Sequence, residues 1–315
     1  MMLHSYQLNL LSVAQEEPLV WPFFMVMTLF GLGIFLSFLD TIGGPIINTF
    51  VAFFQNAFHA LTKRPFTFYP QWNKQSLPHA KRVFLFEQVH YYKFLNTAER
   101  KAFDHRVVKF LRSRDFIAKE NVVITEEMKL LISATAVQIT FGLRSYLIKE
   151  FSQILVYPRA YYNKVSRRFH KGEVNPNGIV VLNWEDFYHG IQIPDDNLNS
   201  GIHEFAHTLA VQRLKNRAFR DKIFVKLFDI LMRSAASPDF RQDIQQQAGF
   251  RKYALANNME FFAVATESFF ENPALLYKNQ PKIYALFSQM YNQELMSLYS
   301  RPIHPLTNLA HQISA

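Results

Sequence analysis

No cysteine occurs in the 315 residues, which excludes disulfide stapling and every metal site built on thiolates. The absence suits a reducing compartment, although exported bacterial proteins also do without cysteine. Basic residues are missing from the front of the chain: no Lys or Arg precedes Lys63. Glu16 and Glu17 stand there instead, and the apolar stretch that follows is long, so a cleaved signal peptide with a basic start does not fit. Charge of either sign is absent from residues 18–39, PLVWPFFMVMTLFGLGIFLSFL. Internal repeats and low-complexity tracts are missing too. The net charge of +9 is modest for this length, and no nucleic-acid-binding motif accompanies it. Its densest clusters, NKVSRRFHK at 163–171 and RLKNRAFRDK at 213–222, read as solvated helix faces, with an anionic membrane surface or an acidic partner as the sharper alternatives.

The uncharged stretch 18–39 is long enough to cross a bilayer, at roughly 33 Å as a helix. Trp21 lies at one end, where interfacial aromatics are common. We expect a single-pass transmembrane helix here, in preference to a buried core helix. Residues 41–62 carry Ile47, Phe50, Val51, Phe54, Phe58 and Leu61 at helical spacing, with Asn48, Gln55, Asn56 and His59 between them. That pattern fits an amphipathic helix lying on the membrane better than a second span. Lys63 and Arg64 follow the apolar region, and the positive-inside rule keeps them in the cytoplasm. The expected location is thus the bacterial inner membrane, with residues 63–300 forming a cytoplasmic domain and 301–315 a loosely ordered tail.

Within that domain the pentapeptide HEFAH at 203–207 has the H-E-x-x-H pattern. On a helix, His203 and His207 lie one above the other on one face, so both imidazoles reach one metal ion. Glu204, next to the first, is placed to take a proton from water at a Zn²⁺ ion. A metzincin would continue with glycine and a third histidine, but Ala210 and Arg213 occupy those positions. The stretch 257–271, NNMEFFAVATESFFE, offers a glutamate instead, with Asn257 or Asn258 as N-cap and Pro273 past its end. Glu260 and Glu267 are seven apart and share one face of an otherwise apolar helix. Buried carboxylates are costly unless paired or metal-bound, so one is expected as a ligand and the other as an acceptor for a histidine N–H.

Several blocks carry a resemblance to a known family: EEMKLLISATAVQITFGL, ILVYP at 154–158, GIVVLNWEDFYHG at 178–190, HEFAH, and YALANNMEFFAVATESFFENP at 253–273. In order and spacing the region from about 120 to 290 resembles the Mlc titration factor A (MtfA) zinc peptidases. The resemblance implies His203, His207 and Glu260 as ligands of one zinc, Glu204 as general base, and Tyr253, seven residues before Glu260, beside the metal. It implies an α+β fold, mostly helical and zincin-like with a small β-sheet, acting on peptide or protein substrates. It also implies a second kind of function, since that family binds and sequesters a transcriptional repressor. The apolar leader departs from the soluble members.

For the remainder, 63–90 reads as an irregular connection with Pro65, Pro70 and Pro78. Asn96 with Glu99 predicts a capped helix to about 113, and a second helix is expected from 126 to 141, ended by Gly142. Residues 154–157 and 178–183 read as strands, the latter joined to the metal helix by a short Asp/Asn-rich loop. Residues 178–184 are assigned the edge strand that pairs with extended substrate, an interior strand being the alternative. A packing helix is expected over 283–299. His59, His170 and His189 are lone histidines without an assigned role.

Overall fold

The computed structural model describes residues 25, 27–29, 75–143, 145–163, 168–170, 172–175, 177–215, 219–238, 240–242 and 252–306. Most of 18–39 and all of 41–62 lie outside these, so both membrane expectations fall there; Met25, Met27, Thr28 and Leu29 are helical. Among the described residues no helix is long and apolar enough to cross a membrane.

The main helical region begins with α1 (His79–Gln88), α2 (His90–Lys93) and α3 (Thr97–Arg112). Pro78 occupies the N-cap position of α1, so the stretch expected to be irregular is helical from residue 79. At α3, Asn96 accepts from the Glu99 N–H and the Glu99 side chain accepts from the Asn96 N–H, the reciprocal capping box that the sequence predicts. The strand β1 (Asp115–Ala118) leads to α4 (Glu126–Thr140), capped by Thr125. Nearly every residue of α4 is buried, which is why its apolar residues run around the whole circumference. The buried guanidinium of Arg106 closes its C-terminal end, donating to the carbonyls of Thr140, Phe141 and Leu143 at 3.2, 2.7 and 3.0 Å.

Strands β2 (Gln153–Tyr157), β3 (Tyr161–Asn163), β4 (Arg168–His170), β5 (Gly172–Asn175) and β6 (Ile179–Asn183) follow. The main sheet runs β1-β2-β6-β5, while β3 and β4 form a separate pair. β1–β2 and β2–β6 are parallel and β5–β6 antiparallel. Strand 179–183 is therefore interior, and the edge assigned to it belongs to β5. Its composition already said so: Val180, Val181 and Leu182 are an unbroken apolar run, the pattern of a strand covered on both faces.

After β6 come α5 (Trp184–Gln192), α6 (Ser200–Lys215), α7 (Phe219–Ala236), a short 3₁₀ turn at Lys252–Leu255, α8 (Asn258–Glu271), α9 (Pro273–Asn279), α10 (Pro281–Tyr291) and α11 (Leu295–Tyr299). Helix α5 replaces most of the loop expected before the metal helix; Asn183 caps it by accepting from the Asp186 N–H at 2.8 Å. The single helix expected over 283–299 is two, because Asn292 takes a left-handed conformation at φ 51°. That turn docks on α4: Asn292 Nδ2 donates to the Gly142 carbonyl at 2.8 Å, and a Cβ on Gly142 would collide with the Asn292 backbone. Phe262, Phe269, Phe270, Phe287 and Tyr291 fill the core between α8 and α10.

The start of the tail is held down. Arg301 pairs with Glu99 at 2.8 Å, and Arg100 donates to the His304 carbonyl at 2.7 Å. Residues 307–315 lie outside the described set. Arg213 also departs from expectation: it is 5% exposed and donates to the Ser145 carbonyl at 3.2 Å, so the basic cluster there is not wholly a solvated face.

Candidate metal centre

Helices α6 and α8 pack against each other and supply the site between them. Asn199 stands at the N-cap of α6, its Oδ1 accepting from the Ile202 N–H at 2.9 Å, which sets the first turn so that His203 and His207 face α8. Asn257 caps α8 in the same way, accepting from the N–H groups of Met259 and Glu260 at 2.9 and 3.0 Å. That cap fixes Glu260 in the first turn, turned toward the histidines.

The result is a tight convergence. His203 Nε2 and His207 Nε2 are 3.1 Å apart, and Glu260 lies 3.1 Å from the first and 3.5 Å from the second. One donor atom from each of the three residues falls within 4.8 Å of the others. Glu267 is not part of this triangle. Its Oε1 lies 2.6 Å from His203 Nδ1 and its Oε2 accepts from the Asn199 N–H at 3.0 Å. A carboxylate there selects the tautomer with Nδ1 protonated and leaves Nε2 as the free donor atom facing Glu260 and His207.

Electrostatics agree with a site short of positive charge. Burial alone lowers the basicity of His203, but hydrogen bonds to Glu260 and Glu267 overcome it and raise the imidazole to about 10. Burial opposes ionisation of Glu260, yet hydrogen bonds from both histidines hold it well below the usual carboxylate range. Glu204, 7% exposed, is pushed up to about 8, first by burial and then by Glu260, Glu267 and Glu173, with His203 opposing. Three carboxylates thus crowd two imidazoles, a setting that a divalent cation would suit. Two imidazole nitrogens and one carboxylate are also the donor set that suits zinc with a position left open.

Glu204 lies beneath the edge strand. A Cβ on Gly172 of β5 would overlap its carboxyl group, so glycine lets the strand cross there without moving Glu204. The next residue, Glu173, accepts from the Tyr161 hydroxyl at 2.9 Å. Tyr253, in the 3₁₀ turn, is 54% exposed, with its ring centroid 6.3 Å from that of His203.

The residues assigned to the site from the sequence lie together here: His203, Glu204, His207, Tyr253, Glu260 and Glu267. Sequence reasoning missed Asn199, Gly172 and Glu271. Asn199 precedes His203 by four, an N-cap signal in plain view, and Glu271 shares its helical face with Glu267. Gly172 carried no local signal, because what it meets lies across the fold. His189 falls in α5 and outside the cluster.

Several known proteins are similar to this chain. The chain is 26% identical over 256 residues to an uncharacterized protein of Synechocystis sp., covering 71% of this chain and 90% of that one. It is 26% identical over 212 residues to Mlc titration factor A of Serratia proteamaculans, covering 61% of this chain and 79% of that protein. The match to Mlc titration factor A of Yersinia pestis is 24% over 228 residues, covering 66% and 82%. The model of the glucose-regulated metallo-peptidase M90 family matches residues 63–292, and the chain belongs to that family.

Proposed function

We propose that the chain is a zinc-dependent peptidase in which His203, His207 and Glu260 hold one Zn²⁺ and Glu204 is the general base. The observation that carries this reading is the approach of three donor atoms to within 4.8 Å of one another, with Glu267 turning His203 the right way. Zinc, when bound, supplies Lewis acidity that polarises a carbonyl and brings water to a pKa of about 7. Glu204 accepts the proton of the attacking water and delivers it to the leaving amine. The Tyr253 hydroxyl donates to the oxygen on which negative charge develops, a contribution worth about 10²–10³ in rate at comparable sites. As the terminal strand of the sheet, β5 offers main-chain groups to an extended peptide beside Glu204.

The sequence supports a membrane anchor at 18–39 with the catalytic region facing the cytoplasm. The full chain then sediments with membranes after a carbonate wash; recovery in the supernatant contradicts the anchor.

A second reading rests on the name of the relatives. Titration of Mlc suggests a binding protein whose peptidase activity is secondary. Glu204→Gln separates the two. Loss of both peptide hydrolysis and the cellular effect favours the peptidase; loss of hydrolysis alone favours the binding protein.

A further inference from the structure

Asn199 uses every hydrogen-bonding atom it has. Its carbonyl accepts from the His203 N–H at 2.9 Å and its Oδ1 from the Ile202 N–H at 2.9 Å. Its own N–H donates to Glu267 Oε2 at 3.0 Å. Its Nδ2 donates to the Gly190 carbonyl at the end of α5 and to Glu271 Oε1, both at 2.9 Å. The residue is 5% exposed. A plain N-cap needs only the Oδ1 acceptor, and aspartate supplies that equally well. The other bonds go beyond capping: they tie the start of α6 to α5 and to two glutamates of α8.

Glu271 lies one turn beyond Glu267 and is 8% exposed. Besides Asn199, the Leu198 backbone lends its carboxyl a hydrogen bond. Burial, assisted by the charge of Glu267 and opposed by the Asn199 bond, pushes its carboxyl up to about 8. Burial thus favours the neutral acid, whose Oε1 accepts from Asn199. Glu267, by contrast, is gripped at both oxygens, one by the Asn199 N–H and one by His203. Loosening the Asn199 contact loosens the carboxylate against which the His203 imidazole is held.

We propose that Asn199, clamped by Glu271, is a positioning residue of the metal centre: through its N–H it fixes Glu267, and so holds His203 with Nδ1 protonated and Nε2 toward Glu260 and His207. This rests on the zinc reading above. It predicts that disturbing a residue which touches neither metal nor substrate weakens metal binding through the orientation of one imidazole.

Three variants of the chain test it. Asn199→Asp keeps the cap acceptor but loses the Nδ2 donor. Glu271→Leu removes the acceptor that holds Asn199, whereas Glu271→Gln keeps it. Three quantities are read: zinc affinity by chelator competition, thermal stability of the metal-free chain, and the His203 Nδ1–H resonance in histidine-labelled metal-free protein. Asn199→Asp and Glu271→Leu are expected to lose about 10–100-fold in zinc affinity, the range for partners that orient a ligand. The Nδ1–H resonance broadens or vanishes in both, and Glu271→Gln behaves as the parent. Wild-type affinity and an unchanged resonance in Asn199→Asp and Glu271→Leu, with only the melting temperature lowered, overturns the proposal and leaves Asn199 a helix cap. If Asn199→Asp does not fold, the Leu and Gln forms of Glu271 decide by the same readings. If the parent chain itself binds no zinc, the metal reading falls and this one with it.

Discussion

A single missing Cβ controls access to Glu204. Gly172 passes so close to that carboxyl group that a methyl group in its place must displace it. Gly172→Ala is therefore expected to lower kcat by about 10²–10⁴-fold, the range that general-base catalysis contributes, with zinc content unchanged. Steady-state kinetics with metal analysis checks this, and wild-type kcat would show that Glu204 sits elsewhere during turnover. His203 makes the complementary point. Its place in the sequence names it a ligand, but Glu267 at 2.6 Å decides which nitrogen it presents. The proposed ligand and its proposed orienting acceptor stood in the sequence as two glutamates on one helical face. Which glutamate took which part followed from the resemblance, and the structure places Glu260 beside both histidines.

Among the elements, α6 and α8 bear the site and both owe their start to an asparagine cap. Asn257→Ala removes the acceptor of two N–H groups at the head of α8 and is expected to cost about 1 kcal/mol in chemical denaturation. An unchanged midpoint would mean that packing alone fixes the helix start. Helices with local signals were readable in advance: Asn96 with Glu99 opens α3, and Thr125 opens α4 before a continuous apolar run. Elements set by distant partners were not. Strand β6 looked like an edge from its nearness in sequence to the metal helix, but β5 pairs with its outer side. Asn292 breaks the expected last helix because its side chain and Gln293 reach back to the carbonyls that end α4. Arg213 looked like surface charge until Ser145 was brought to it. Periodicity records which face of an element is apolar; it does not record which neighbour covers that face.

At the scale of the whole molecule, the fold carries a buried acid outside the candidate metal centre. Asp104, 2% exposed and accepting from the Tyr92 hydroxyl at 2.8 Å, is pushed up to about 6 from 3.8, first by burial, with Tyr92, Arg82 and Arg100 pulling the other way. Because the folded-state value is the higher one, its stabilising contribution is complete below about 4 and is lost as pH rises through about 6. Asp104→Asn should therefore gain stability relative to the parent across that window, seen as a rising difference in melting temperature between pH 4 and 7. A difference that stays flat with pH contradicts the assignment. The proposed zinc peptidase is built from α6 and α8. Zinc content together with peptide hydrolysis, for the parent chain, Glu204→Gln and Glu260→Ala, tests it. One zinc per chain is expected in the parent and in Glu204→Gln, hydrolysis in the parent alone, and loss of metal in Glu260→Ala. A parent chain without zinc, or a Glu204→Gln form that still hydrolyses peptide, would contradict it.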